Sequence, residues 1–225
     1  TPEERKDAIK GVPEGLNLLN ELIDERRKNP GDDFLSTLIL AEDQGSKLSN
    51  MEMCALVGAV LGAGSDTAVD LHSYLIKTLL QHPDQLQALK DDESLVQGAI
   101  SETLRYESSG KTGLARYASE DININGFDVK KGQMVQLITS TAGMDPKMYN
   151  NPEEFDIKRD HDKSISFGQG PHYCIGVTLV RSQTEVMLRE LFKRFPNISL
   201  GNEIVYDYNH HNARRMDVMT VNTNL

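Results

Sequence analysis

Cys174 lies in the run Phe167-Gly168-Gln169-Gly170-Pro171-His172-Tyr173-Cys174-Ile175-Gly176, with three glycines around one thiol. Glycine is used where backbone must take unusual dihedrals or come close to a ligand. An amphipathic run from about Val177 to Phe195 follows, so the cysteine stands at the start of a helix. Unpaired N–H groups and the positive end of the helix dipole gather there. Such a position favours the thiolate of a cysteine over its thiol. A thiolate on a glycine-rich loop is a good metal ligand. No second cysteine lies nearby, which makes a zinc or iron–sulfur site a poor match. One thiolate suits an ion whose other positions are filled by something else, such as a porphyrin.

A second stretch, Ala63-Gly64-Ser65-Asp66-Thr67, places an acid beside a hydroxyl inside a long apolar segment. That segment opens on the capping box Ser49-Asn50-Met51-Glu52 and runs without proline to His82. It is apolar almost all round from Ala55 to Leu61, so its first half is expected to be buried. Glycine in a helix interior costs about 1 kcal/mol against alanine, and a buried acid adds a desolvation cost. A carboxylate linked to solvent, beside a hydroxyl, can deliver protons to a reacting group.

Composition bounds the remaining classes. The 225 residues are 38% hydrophobic and 26% charged, as in a soluble globular protein. A formal net charge of −10 argues against nucleic acid and anionic membranes as partners. No apolar run is expected to reach the length of a membrane span. Cys54 and Cys174 are the only cysteines, which points to a reducing compartment, the cytoplasm.

The cysteine run fits the haem-binding loop of the cytochromes P450, F-x-x-G-x-x-x-C-x-G. Phe167, Gly170, Cys174 and Gly176 fill its fixed positions, and Gly168 and His172 suit the soluble bacterial form. The chain resembles the C-terminal, haem-carrying half of such a protein, a mainly α fold with small β-sheets. The resemblance spans nearly all of residues 1–225 as part of one domain, and the family's N-terminal half has no counterpart in it. It implies haem b with Cys174 as the iron ligand, framed by Phe167, Gly168 and Gly176. His172 would hold a propionate, as would Arg116, whose guanidinium suits a carboxylate. Ala63 to Thr67 resembles the A-G-x-D-T motif. Ala63 and Gly64 would leave a groove for dioxygen, Thr67 would set a hydroxyl beside it, and Asp66 would relay protons inward. Glu102 and Arg105 resemble the E-x-x-R lock, a structural pair.

The implied activity is monooxygenation of a small organic substrate. Electrons would come from NAD(P)H through a ferredoxin or flavodoxin with its reductase, since the chain carries no flavin or iron–sulfur motif. A peroxide-using relative is a rival, although such enzymes typically lack the Asp-Thr pair. A haem-binding or inactive fragment is another.

Other elements must position these residues. Periodicity predicts helices over Glu14–Lys28, from Asp33 to about Gly45, from Pro83, and over about Glu93–Tyr106. Asn125-Gly126 signals a hairpin, and Met134–Thr141 reads as a strand. Turn-rich chain around Asp145-Pro146 and Asn151-Pro152 resembles the family's meander. It departs from the pattern at Gly143-Met144 and at Glu154, where an Arg or His often completes the lock; Arg159 is the candidate replacement. The resemblance makes Ser108–Thr112 and Tyr208–Ala213 substrate-facing. His210 and His211 read as surface residues, and strands are expected between Ile198 and Val221.

Overall fold

The capping box expected at Ser49 forms. Glu52 accepts the Ser49 N–H at 2.8 Å, and the Ser49 hydroxyl accepts the Glu52 N–H at 3.3 Å. It opens a helix of 32 residues in a computed structural model that describes residues 2–43, 48–110, 113–161, 164–208 and 213–223. These fall into two units, residues 1–66 and 67–225, with the boundary inside that helix.

The first unit holds α1 (Pro2–Lys28), α2 (Phe34–Asp43) and the first half of α3 (Asn50–Gln81). α1 begins well before the expected Glu14. Its early turns are polar and carry Pro13 inside, so no apolar periodicity announces them. Asp33 caps α2 by accepting the Ser36 N–H at 2.8 Å. That bond, with Arg26 Nε at 2.6 Å, holds the Asp33 carboxyl down to about 2. Ile23, Ile39, Met53 and Cys54 form the core of this unit.

α3 corrects two expectations. Its first half is not buried beyond Met53 and Cys54: Ala55, Leu56, Ala59 and Leu61 stand exposed. Apolar content shows that a face favours cover, not that the described residues supply it. The buried stripe comes later, with Leu71, Tyr74, Leu75, Thr78 and Leu79 recurring at helical spacing. α3 as a whole is also long and apolar enough to cross a membrane by length and composition. A search for an uninterrupted apolar run misses it, because Glu52, Asp66, Asp70 and Lys77 interrupt the sequence. The core helix of a globular protein passes the same test, and the buried second half has that character.

In the second unit Leu75, Leu79, Ala99, Ile100, Ile157 and Leu188 pack together. α4 (Pro83–Asp91) starts on its proline. Asp92 then caps a 3₁₀ turn, Glu93–Leu95, ahead of α5 (Val96–Tyr106). β1 (Leu114–Tyr117) pairs antiparallel with β4 (Met134–Leu137). β2 (Ile122–Ile124) and β3 (Phe127–Val129) form the expected hairpin, with positive φ at both Asn125 and Gly126. The predicted strand over Met134–Thr141 is shorter than read. Its last residues turn into the short helix α6 (Thr139–Ala142), where the Thr141 hydroxyl bonds back to the Ile138 carbonyl at 2.8 Å. α7 (Val177–Arg194) leads to the antiparallel pair β5 (Ser199–Asp207) and β6 (Arg215–Asn222). Among the described residues the architecture is mainly α with three two-stranded sheets. Lys111 and Thr112 of the Ser108–Thr112 turn lie outside the described residues, as do residues 209–212, which include His210 and His211.

Candidate functional site

α5 packs so closely on the irregular chain after α6 that residue 98 must be glycine. A Cβ there would stand 2.1 Å from the Ile157 carbonyl oxygen. Four positions past that contact Glu102 is wholly buried, and Arg105 is 1% exposed. Charges this dry require partners. Arg105 Nε and Nη2 each donate to a Glu102 oxygen at 2.7 Å, a bidentate pair. The remaining Arg105 donors take the carbonyls of Gly143, Pro152 and Glu154 at 2.8, 2.6 and 2.9 Å. Glu102 also accepts the Asp156 N–H at 2.9 Å and Arg159 Nε at 3.2 Å. Arg159 thus makes the third contact of the lock and binds the Asn150 carbonyl at 2.6 Å. Two guanidiniums and one carboxylate fix the chain that leads to the cysteine loop. His161 Nε2 approaches Glu102 at 3.5 Å. Burial lowers the His161 pKa below the ordinary imidazole value, Arg105 and Arg159 add to this, and Glu102 opposes it.

The loop itself is closed by backbone bonds. The Gly168 N–H donates to the Ile165 carbonyl at 2.9 Å, and the Cys174 N–H donates to the Phe167 carbonyl at 2.9 Å. Gly168 at φ +74° and Gly170 at φ +65° occupy the left-handed region that favours glycine. Pro171 lies in a 3₁₀ turn, Gly170–His172. Gly176 is the N-cap of α7, which places the half-buried Cys174 two residues ahead of that cap. A Cβ on residue 176 would lie 3.9 Å from Cys174 Sγ.

Beside the loop is a cavity of about 550 Å³, lined by Ser101, Leu104, His161, Phe167, Tyr173 and Arg181 among others. Arg181 has a part that the amphipathic pattern from Val177 to Phe195 does not announce. It lies over the Phe167 ring at 5.4 Å and donates to Gln97 Oε1 at 2.8 Å and Ser101 Oγ at 3.1 Å. Arg181 lies one turn after Val177 and two turns before Leu188, and a cation between those apolar positions was the available signal.

The other expected site residues are less gathered. His172 and Arg116 stand exposed, and the Arg116 guanidinium bonds the Ala115 carbonyl of its own strand at 2.9 Å. Ala63, Gly64, Asp66 and Thr67 are exposed on α3, and a Cβ at Gly62 or Gly64 would meet nothing within 4 Å. The carboxylate of this helix that is buried is Asp70, 3.6 Å from Arg215 Nε.

The donor set suits a group that brings most of its own ligands. Among the described residues no three His, Cys, Asp or Glu side chains gather to hold an ion by themselves. Ile175, next to the thiol, is 90% exposed and Leu179 is 64% exposed; paired Leu114 and Leu137 on β1 and β4 are also open. An open Ile175 beside a single half-buried thiol suits a large apolar planar group ligated through one thiolate.

The family model for cytochrome P450 matches residues 5–202. The epothilone C/D epoxidase of Sorangium cellulosum is 38% identical over 220 residues, 97% of this chain and 52% of that protein. The 6-deoxyerythronolide B hydroxylase of Saccharopolyspora erythraea is 37% identical over 201 residues, 89% of this chain and 50% of the other. The chain thus spans about half the length of these relatives. The solved structure of epothilone B-bound cytochrome P450epoK superposes with a TM-score of 0.91 at 38% identity, over 96% of this chain and 54% of that one. On the family match, the identities and the shared architecture, this chain belongs to the cytochrome P450 family.

Proposed function

We propose that residues 1–225 form the haem-carrying C-terminal part of a bacterial-type P450 domain. Its activity is insertion of one oxygen atom of O₂ into a small organic substrate. The observation that carries this reading is the loop around Cys174, where two left-handed glycines and the Phe167 carbonyl hold a lone half-buried thiol before α7. When bound, haem b supplies the oxygen-activating redox chemistry. Cys174 Sγ would be its ligand and would donate electron density to it. Phe167, Gly168 and Gly176 keep the loop thin enough for close approach. The Arg116 guanidinium and the His172 imidazole, both exposed and able to donate, would hold its propionates by charge-assisted hydrogen bonds. Ala63 and Gly64 leave room for dioxygen. Thr67 Oγ1 holds a proton at the reacting oxygen, and the Asp66 carboxylate, open to solvent, replenishes it. Electrons derive from NAD(P)H through a ferredoxin or flavodoxin with its reductase. Two relatives, one named an epoxidase and the other a hydroxylase, support oxygen insertion.

Haem titrated into the chain, followed by absorbance, is expected to bind with one-to-one stoichiometry. The Cys174→Ala variant is expected to lose the thiolate spectrum. Failure of the chain to bind haem would overturn the reading. A second reading, haem binding without turnover, is favoured by the exposure of Ala55, Leu56, Ala59 and Leu61 on α3. NAD(P)H-driven product formation with an added ferredoxin and its reductase separates the two.

A further inference from the structure

The β2–β3 hairpin turns on Asn125-Gly126, the only Asn-Gly pair in the sequence. Both residues are exposed and have positive φ, +49° and +92°. Three pairs hold the strands: Ile122 with Val129, Asn123 with Asp128, and Ile124 with Phe127. Asp121 braces the open end, accepting Lys130 Nζ and the Lys131 N–H at 2.9 Å each. Asn123, next to the turn, has both ends of its amide engaged. Its Nδ2 donates to Asp128 Oδ1 at 2.8 Å, and its Oδ1 accepts the Gly126 N–H at 2.9 Å. The Asn125 side chain makes no hydrogen bond among the described residues.

An asparagine followed by glycine is open to an internal reaction, because no Cβ on the second residue hinders approach of its nitrogen. The Gly126 nitrogen attacks Asn125 Cγ. A bond forms between these two atoms and the Cγ–Nδ2 bond breaks. The Gly126 amide proton passes to water or a buffer base, and Nδ2 takes up a proton and leaves as ammonia. Water then opens the cyclic imide. Cleavage of the new N–Cγ bond gives aspartate, and cleavage of the bond from that nitrogen to the Asn125 main-chain carbonyl carbon gives isoaspartate. No atom is oxidised or reduced.

The attacking nitrogen must give up its proton, and that is the proton Asn123 Oδ1 holds. Asp128 aims Oδ1 by fixing the other end of the amide, and its carboxylate disfavours a second negative charge nearby. We propose that Asn125 is a site of spontaneous deamidation, with Asn123 as the brake on it. The two products act differently on the turn. Aspartate suits it, since Asp-Gly serves a tight hairpin as Asn-Gly does, and it adds one negative charge at the tip. Isoaspartate carries the main chain through Cβ and Cγ, which lengthens the loop and disturbs a hairpin of only three pairs. Asn123, Asn125, Gly126 and Asp128 have no part in the proposed haem site, so haem binding and this reaction are tested separately.

Peptide mapping by mass spectrometry tests it, reading conversion of Asn125 over time in mildly alkaline buffer. The folded chain, the chain in concentrated urea and the folded Asn123→Val variant are compared. Valine favours a strand, so the hairpin is kept while the acceptor is lost. Conversion at Asn125 is expected to be slower in the folded chain than in urea. Asn123→Val is expected to react about three- to tenfold faster than the folded wild type, the share of one hydrogen bond. Asp128→Val, which frees the Asn123 amide, carries the test if Asn123→Val does not fold, and is also expected to react faster than the wild type. Equal rates in the folded wild type and the folded variant, or reaction of the folded wild type as fast as in urea, would overturn the proposal.

Discussion

The guanidinium of Arg181 lies 5.4 Å from the centre of the Phe167 ring, while the Phe167 carbonyl accepts the Cys174 N–H at 2.9 Å. The same guanidinium donates to Gln97 and Ser101. One side chain of α7 thus ties the loop that carries the thiol to α5, the helix that carries the Glu102–Arg105 lock.

Arg181→Gln removes the cation over Phe167 and the donors to α5. The expected loss is about 1–2 kcal/mol of stability in urea unfolding. Cys174 should also react faster with iodoacetamide, because its loop is less firmly held. An unchanged alkylation rate at unchanged stability would contradict the role given to Arg181.

Glu102→Gln leaves Arg105 and Arg159 facing a neutral amide in a dry setting. Loss of one partner from a buried pair typically costs about 3–5 kcal/mol, and urea unfolding should show a loss of that size. Glu154→Ala makes the contrast. Only the backbone carbonyl of Glu154 reaches Arg105, so the variant's stability should change by no more than about 0.5 kcal/mol.

His161 and His72 both have pKa values lowered in the fold, burial being the first cause in each. A lowered imidazole pKa means that the unfolded chain takes up the proton first. Stability is then full above the unfolded value of about 6.5 and falls as pH drops below it toward the folded value. The thermal midpoint of the wild type should decline from about pH 7.5 to about pH 5, and less steeply in His161→Asn. Identical slopes would show that His161 does not contribute.

Thr67 is exposed on α3, so Thr67→Ala should leave stability within about 0.5 kcal/mol and haem binding unchanged. NAD(P)H-driven product formation in the haem-loaded protein, supplied with its redox partner, should fall by about 10²-fold or more, the usual share of a proton donor. Unaltered product formation would remove Thr67 from the proton route.

Local chemistry made several elements legible. The capping box at Ser49, the Asn125-Gly126 hairpin, the proline start of α4 and the cysteine loop all depend on residues adjacent in sequence. Glu102 and Arg105 were legible because three residues separate them on one helix. What was hidden depends on distant chain. Arg181 meets Phe167 and Gln97, and Arg214 meets Tyr74, only through packing that no periodicity encodes. The exposure of Ala55, Leu56, Ala59 and Leu61 was hidden for the same reason, since apolar patterning does not say what covers a face. Asp66 was expected in a dry setting and stands open, while Asp70, one turn on, is the buried acid.

The central claim, thiolate ligation of haem by Cys174, is tested most directly by the reduced, carbon monoxide-bound absorption spectrum of the haem-loaded chain and of its Cys174→Ser variant. The account predicts a strongly red-shifted Soret band in the first and its loss in the second. An unshifted band in the unsubstituted chain, or a shifted band that survives in Cys174→Ser, would contradict it.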